Sequence, residues 1–95
     1  MVRLEGVKVA LASIYREAAR AKELTLDLPE GSTLGDLASK LSGLYGGPFK
    51  ELMAEEGSIS REALLLVDGM NIRQASLKLK DGDFIFIASE VVGGA

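Results

Sequence analysis

A single apolar stripe at helical spacing, fenced on both sides by residues that stop helices, constrains this chain more than any other feature. Leu34, Leu37, Ala38, Leu41 and Leu44 recur at i, i+3, i+4, i+7 and i+10, so they gather on one side of a helix. Thr33 stands at the N-cap position, and Asp36 three residues on completes a capping-box-like pair. Pro29-Glu30-Gly31 closes the preceding segment, Gly43 is a candidate C′ residue, and Gly46-Gly47-Pro48 prevents continuation. The pattern predicts a helix over roughly Leu34 to Leu41. One such stripe must be buried against a second layer.

That layer reads as strands. Val7, Val9 and Leu11 alternate with Lys8, Ala10 and Ala12, which predicts a strand from about Val7 to Tyr15. A polar stretch, Arg16 to Lys22, turns the chain into a second alternating run at Leu24, Leu26 and Leu28. An antiparallel hairpin is the simplest arrangement of the two. After the helix, Phe49, Leu52 and Met53 suggest a helical turn, followed by a charged loop from Glu55 to Glu62. Ala63–Val67 is continuously apolar, as expected of a strand covered on both faces. Asp68-Gly69 is a two-residue hairpin signal with Met70-Asn71-Ile72 returning, and Phe84–Ala88 is the last strand after the Lys80–Asp83 turn. The order β-β-α-β-β-β predicts an α+β, β-grasp fold: a mixed sheet of about five strands on one main helix. With 95 residues the chain is long enough for one core, assigned to residues 1–88, with 89–95 as a flexible C-terminal tail.

Composition removes most chemistries. There is no cysteine and no histidine, which excludes disulfides, thiol nucleophiles, tetrahedral zinc sites and histidine triads. Eleven basic residues against 14 acidic, net −3, argue against a nucleic-acid partner. The longest aliphatic run, Ala63–Val67, cannot cross a bilayer, and Arg3, Glu5 and Lys8 interrupt the first apolar stretch. A cytoplasmic protein with no membrane partner is expected. Asp81 and Asp83, and Glu55-Glu56, are the paired carboxylates; both pairs lie in turn-like segments where water should screen them, so turn formation is their expected role. No phosphate-loop spacing, metal cluster or nucleophile–base pair can be assembled, and the chain alone is not expected to be an enzyme.

The C-terminus, Val91-Val92-Gly93-Gly94-Ala95, directly follows the last strand. A carboxylate that must be activated inside another protein has to enter a narrow slot, and glycine, lacking Cβ, permits that approach. From Ser89 onward the tail reaches roughly 23 Å at about 3.3 Å per residue. With Leu28-Pro29-Glu30-Gly31-Ser32-Thr33-Leu34 leading into Asp36-Leu37, Leu66-Val67-Asp68-Gly69, Leu79-Lys80-Asp81-Gly82-Asp83 and the diglycine in this order, nearly the whole chain resembles the MoaD/ThiS family of ubiquitin-like sulfur carriers. It is nearest the small subunits of molybdopterin synthase.

The resemblance implies a mechanism in which the terminal glycine carboxylate is adenylated and then converted to a thiocarboxylate that donates sulfur. Gly94 would be that residue, with Gly93 keeping the approach narrow. It implies as partners an ATP-dependent, E1-like activating enzyme of the MoeB type and a large synthase subunit of the MoaE type. ATP is used by the activating partner, and no cofactor is bound by this chain. Two departures stand out. Ser89-Glu90 replaces the Pro-Pro common in the family, and Ala95 follows the second glycine, so either a C-terminal trimming peptidase removes it, the favoured reading, or the chain does not use the family's usual activation. Phe84 and Phe86 point outward if Ile85 and Ile87 face the helix; with Met70, Val91 and Val92 they are the expected partner contacts. The alternatives are a carrier for thiamine or tRNA thiolation, a protein modifier, and a non-covalent β-grasp interaction module.

Overall fold

The computed structural model describes residues 3–54 and 57–90. Among the described residues, five strands and two α-helices form. They are β1 (Arg3–Leu11), α1 (Ser13–Ala19), β2 (Glu23–Pro29), α2 (Leu34–Tyr45), β3 (Ala63–Val67), β4 (Met70–Asn71) and β5 (Phe84–Ser89), with a 3-10 helix at Gly47–Glu51 after α2. The five strands make one sheet in the order β2-β1-β5-β3-β4. β1 and β2 are antiparallel, from Arg3 opposite Pro29 to Ala10 opposite Glu23, with a register shift between Leu4 and Val7. β5 lies in the middle, parallel to β1 and antiparallel to β3. This is the mixed β-grasp sheet that the element order predicts.

The leucine stripe does what its spacing requires. Leu34, Leu37, Ala38 and Leu41 are buried in one cluster with Val7, Val9, Leu11, Leu65, Ile85 and Ile87 from the sheet. Thr33 Oγ1 accepts the Asp36 N–H, and Asp36 Oδ2 accepts the Thr33 N–H at 2.9 Å, so the capping box is complete.

Three local expectations are corrected. α2 runs through Gly43 to Tyr45 and stops at Gly46, whose φ of 64° suits glycine. At about 100° per residue, Tyr45 falls within about 20° of Leu34 whereas Leu44 falls about 80° away. Tyr45 therefore joins the core margin and Leu44 is 54% exposed. β1 ends at Leu11, and the segment expected to be strand and then turn is α1. Tyr15, Ala18 and Ala19, which lie on one helical side, pack on the core, with the Tyr15 ring 5.3 Å from that of Phe49. Finally, β3 is not covered equally on both faces: Ala63, Leu65 and Val67 are buried while Leu64 and Leu66 are half-buried.

Candidate functional site

The outward face of the sheet is set by the pleat. Ile85 and Ile87 are fully buried against the helical side, so Phe84 and Phe86 project to the opposite face. Phe84 is 40% exposed and Phe86 is half-buried. The cover on Phe86 comes from its neighbours in the same sheet, Ala10 on β1 and Leu66 on β3, which lie directly opposite it. Phe49 is buried in the core among Tyr15 and Tyr45.

The β3–β4 hairpin forms the sheet edge beyond β5. Asp68 and Gly69 both have positive φ, 51° and 86°, the geometry of a two-residue turn matched to strand twist. Val67 pairs with Met70 across it, and Met70 is 66% exposed. Beside Met70, a cleft of about 320 Å³ runs between the hairpin and the Leu77–Lys80 segment, with Val67, Ile72 and Leu77 among its apolar walls.

The carboxylates of the Lys80–Asp83 turn are structural clamps. Asp81 Oδ1 accepts the Gly6 N–H at 2.9 Å and so holds the irregular part of β1. Asp83 is only 6% exposed, contrary to the expected screening by water. Its Oδ2 accepts the Lys80 N–H at 2.7 Å, and its carbonyl accepts the Lys8 N–H at 3.0 Å. Burial pushes the Asp83 carboxyl above the ordinary carboxylate range; the neighbouring Asp68 carboxylate pushes the same way, while the Lys80 N–H and ammonium oppose. Asp68 Oδ1 in turn accepts the Phe84 N–H at 2.9 Å, and the Asp68 N–H donates to the Phe84 carbonyl at 2.7 Å. Asp68 and Asp83 thus bracket the start of β5 and fix the exposed Phe84 at the sheet's end. Burial likewise raises the Tyr15 phenol, with Glu62 and Glu51 adding to the effect.

At the other end of β5, Ala63 pairs with Ser89, and the Glu90 N–H donates to the Glu62 carbonyl at 2.9 Å. Val91, Val92, Gly93, Gly94 and Ala95 lie outside the described residues, as do Glu55 and Glu56. The described structure therefore brings Phe84 and Phe86 to one face, leaves Met70 on the side of its partner Val67 and of Ile85, contrary to the expected shared contact surface, and places the last rung before the diglycine on the same strand as the two aromatics. Sequence reasoning missed Ala10, Leu64 and Leu66 as parts of this face. The continuous apolar run Ala63–Val67, read as a strand covered on both faces, hid Leu64 and Leu66. Among the described residues, no group of three or more acidic side chains is placed to hold a metal ion. No helix there is long and apolar enough to cross a membrane.

No family model and no curated protein matches the sequence. Solved structures do match. The Haloferax volcanii HVO 2177 protein superposes with a TM-score of 0.82 at 23% identity, over 97% of this chain and 88% of its own, a likeness of fold. Small archaeal modifier protein 1 of Methanosarcina acetivorans is 30% identical, with a TM-score of 0.72, over 95% of this chain and 97% of its own. A Pyrococcus furiosus chain provisionally named molybdopterin converting factor subunit 1 is 25% identical, with a TM-score of 0.76, over 96% of this chain and all of its own.

Proposed function

The chain belongs to the ubiquitin-like sulfur carriers of the MoaD/ThiS family, and from that premise we propose that it delivers sulfur through its C-terminal glycine in molybdopterin biosynthesis. In this reading a trimming peptidase removes Ala95, and the Gly94 carboxylate attacks the α-phosphorus of ATP on an activating enzyme, releasing pyrophosphate. A carboxylate is a poor electrophile; the acyl-adenylate makes AMP the leaving group. The outer sulfur of a partner's persulfide then attacks the acyl carbon and AMP departs, leaving an acyl disulfide. A second partner thiolate attacks the inner sulfur, the S–S bond breaks to leave a disulfide on the partner, and the released thiocarboxylate is carried to the large synthase subunit and its pterin substrate. Apart from the Gly94 carboxylate, every reacting group and the nucleotide site are supplied by partners, which accords with a chain holding neither cysteine nor histidine.

The observation that carries this reading is the placement of β5. It is hydrogen-bonded to neighbours on both sides, its exposed Phe84 marks one end, and its other end leads through Glu90 toward Gly93-Gly94. A partner that docks on the Phe84 and Phe86 face can therefore receive the diglycine in a slot at a fixed offset. Ordering the tail costs about 1–2 kcal/mol per residue, which main-chain hydrogen bonds within the slot and apolar contact on the face must offset.

A second reading, a modifier joined to other proteins through the same activated glycine, is favoured by the 30% identity to small archaeal modifier protein 1. Removal of the chain from its host separates the two. The sulfur-donor reading predicts loss of molybdenum- or tungsten-enzyme activity, restored by the full chain and not by one lacking Gly93–Ala95. Restoration by the truncated chain would overturn it, and normal cofactor levels with loss of protein conjugates would favour the modifier.

A further inference from the structure

The half-buried guanidinium of Arg73 is spent on backbone carbonyls. Nη1 donates to the Ala63 carbonyl at 2.9 Å, and Nη2 donates to the Ile59 carbonyl at 3.1 Å and to the Ser60 carbonyl. The Arg73 carbonyl accepts the Ile59 N–H at 2.8 Å, so main chain and side chain hold the same segment. That segment is a tight turn into β3. The Ala63 N–H reaches back to the Ser60 carbonyl at 3.2 Å, and the Glu62 N–H to Ser60 Oγ at 3.2 Å.

The same turn carries the end of β5 on its other side. Ala63 is paired with Ser89, and the Glu62 carbonyl accepts the Glu90 N–H. Glu90 is the last described residue before Val91, so this rung is the fold's last described hold on the C-terminal segment. Ile59 and Ala63 anchor the turn's ends in the core, while Arg61 and Glu62 are exposed at its tip. Three converging carbonyls need a rigid, forked donor. A lysine ammonium is a compact point charge on a flexible stem and cannot reproduce the fork.

We propose that Arg73 is a positioning residue for acyl transfer at the C-terminus: by holding the Ile59–Ala63 turn it fixes where the chain leaves the sheet. This rests on the carrier reading above. The Arg73 guanidinium donates to the Ala63, Ile59 and Ser60 carbonyls, and it acts through the Glu62–Glu90 rung. When the turn loosens, Ser89 and Glu90 leave the ladder and must be ordered again each time a partner takes up the tail. Each residue so re-ordered weakens docking by about five- to thirtyfold. Once the carboxylate is seated, the chemistry is unchanged. The signature is a rise in KM at constant kcat.

The test uses the chain ending at Gly94, as wild type, Arg73→Met and Arg73→Lys, in ATP–pyrophosphate exchange with its host's activating enzyme. Amide hydrogen exchange is followed at Glu90 and at Ile87. Arg73→Met is expected to raise KM at least tenfold with kcat within about twofold. Glu90 should lose protection while Ile87 keeps it. Arg73→Lys should fall between, and it decides the matter should Arg73→Met fail to fold. Unchanged KM and Glu90 protection in a folded variant would overturn the positioning role, as would a fall in kcat alone. Absence of exchange with the wild-type chain would overturn the carrier reading itself and this role with it.

Discussion

At the scale of single residues, Asp83 shows how a turn residue becomes a stability determinant. Its folded-state affinity for a proton is raised, first by burial and then by Asp68, so the folded chain holds that proton more tightly than the unfolded chain does. The contribution of this group to stability is therefore greatest in acid and declines as pH rises from the ordinary carboxylate range through the raised value. Asp83→Asn keeps an acceptor for the Lys80 N–H and removes the charge. Urea unfolding from about pH 4 to about pH 7 should show wild type losing stability relative to Asp83→Asn as pH rises. A widening advantage for wild type toward neutrality would contradict this. Phe84 is expected to behave in the opposite way from a core residue. Phe84→Ala should leave stability within about 1 kcal/mol while weakening partner docking about tenfold or more, measured by calorimetric titration with the activating enzyme. Intact binding would remove Phe84 from the docking face.

At the scale of elements, α2 was legible because two independent signals agreed. A 3.6-residue stripe and a capping box both depend only on local spacing. Its end was misplaced because Gly43 tolerates the helix interior, and the stop came from Gly46, where φ is positive. Leu41→Ala should therefore cost about 2–5 kcal/mol, whereas Leu44→Ala, on the exposed edge, should stay within about 0.5 kcal/mol. Denaturant midpoints of the pair check the stripe directly, and equal costs would refute it. α1 was illegible for a related reason. The odd-numbered run Val7, Val9, Leu11 extends naturally to Tyr15, so a period-two reading absorbs a residue that a helix places on the core. What decides between the two is tertiary: β5 pairs with β1 as far as Leu11, the Ala12 N–H closes onto the Ile87 carbonyl, and Tyr15 stacks near Phe49. The half-exposed face of β3 was hidden similarly, since Leu64 and Leu66 are apolar whichever way they point.

At the scale of the whole molecule, the arrangement separates rigidity from delivery. β5 is central, clamped at its start by Asp68 and Asp83 and at its end by the Glu62 rung. The exposed aromatic and the path to the diglycine are thus held on one rigid strand. The diglycine itself was legible as a motif, and the family likeness gives it meaning; its geometry against a partner is not a property that one chain can encode. Ala95 is the point at which the proposed chemistry is most exposed to refutation. The direct measurement is the intact mass of the protein purified from its own host, with fragmentation of its C-terminal peptide. The account predicts loss of Ala95 and replacement of one oxygen of the Gly94 carboxylate by sulfur. A chain that still ends in unmodified Ala95 under conditions of active cofactor synthesis would contradict it.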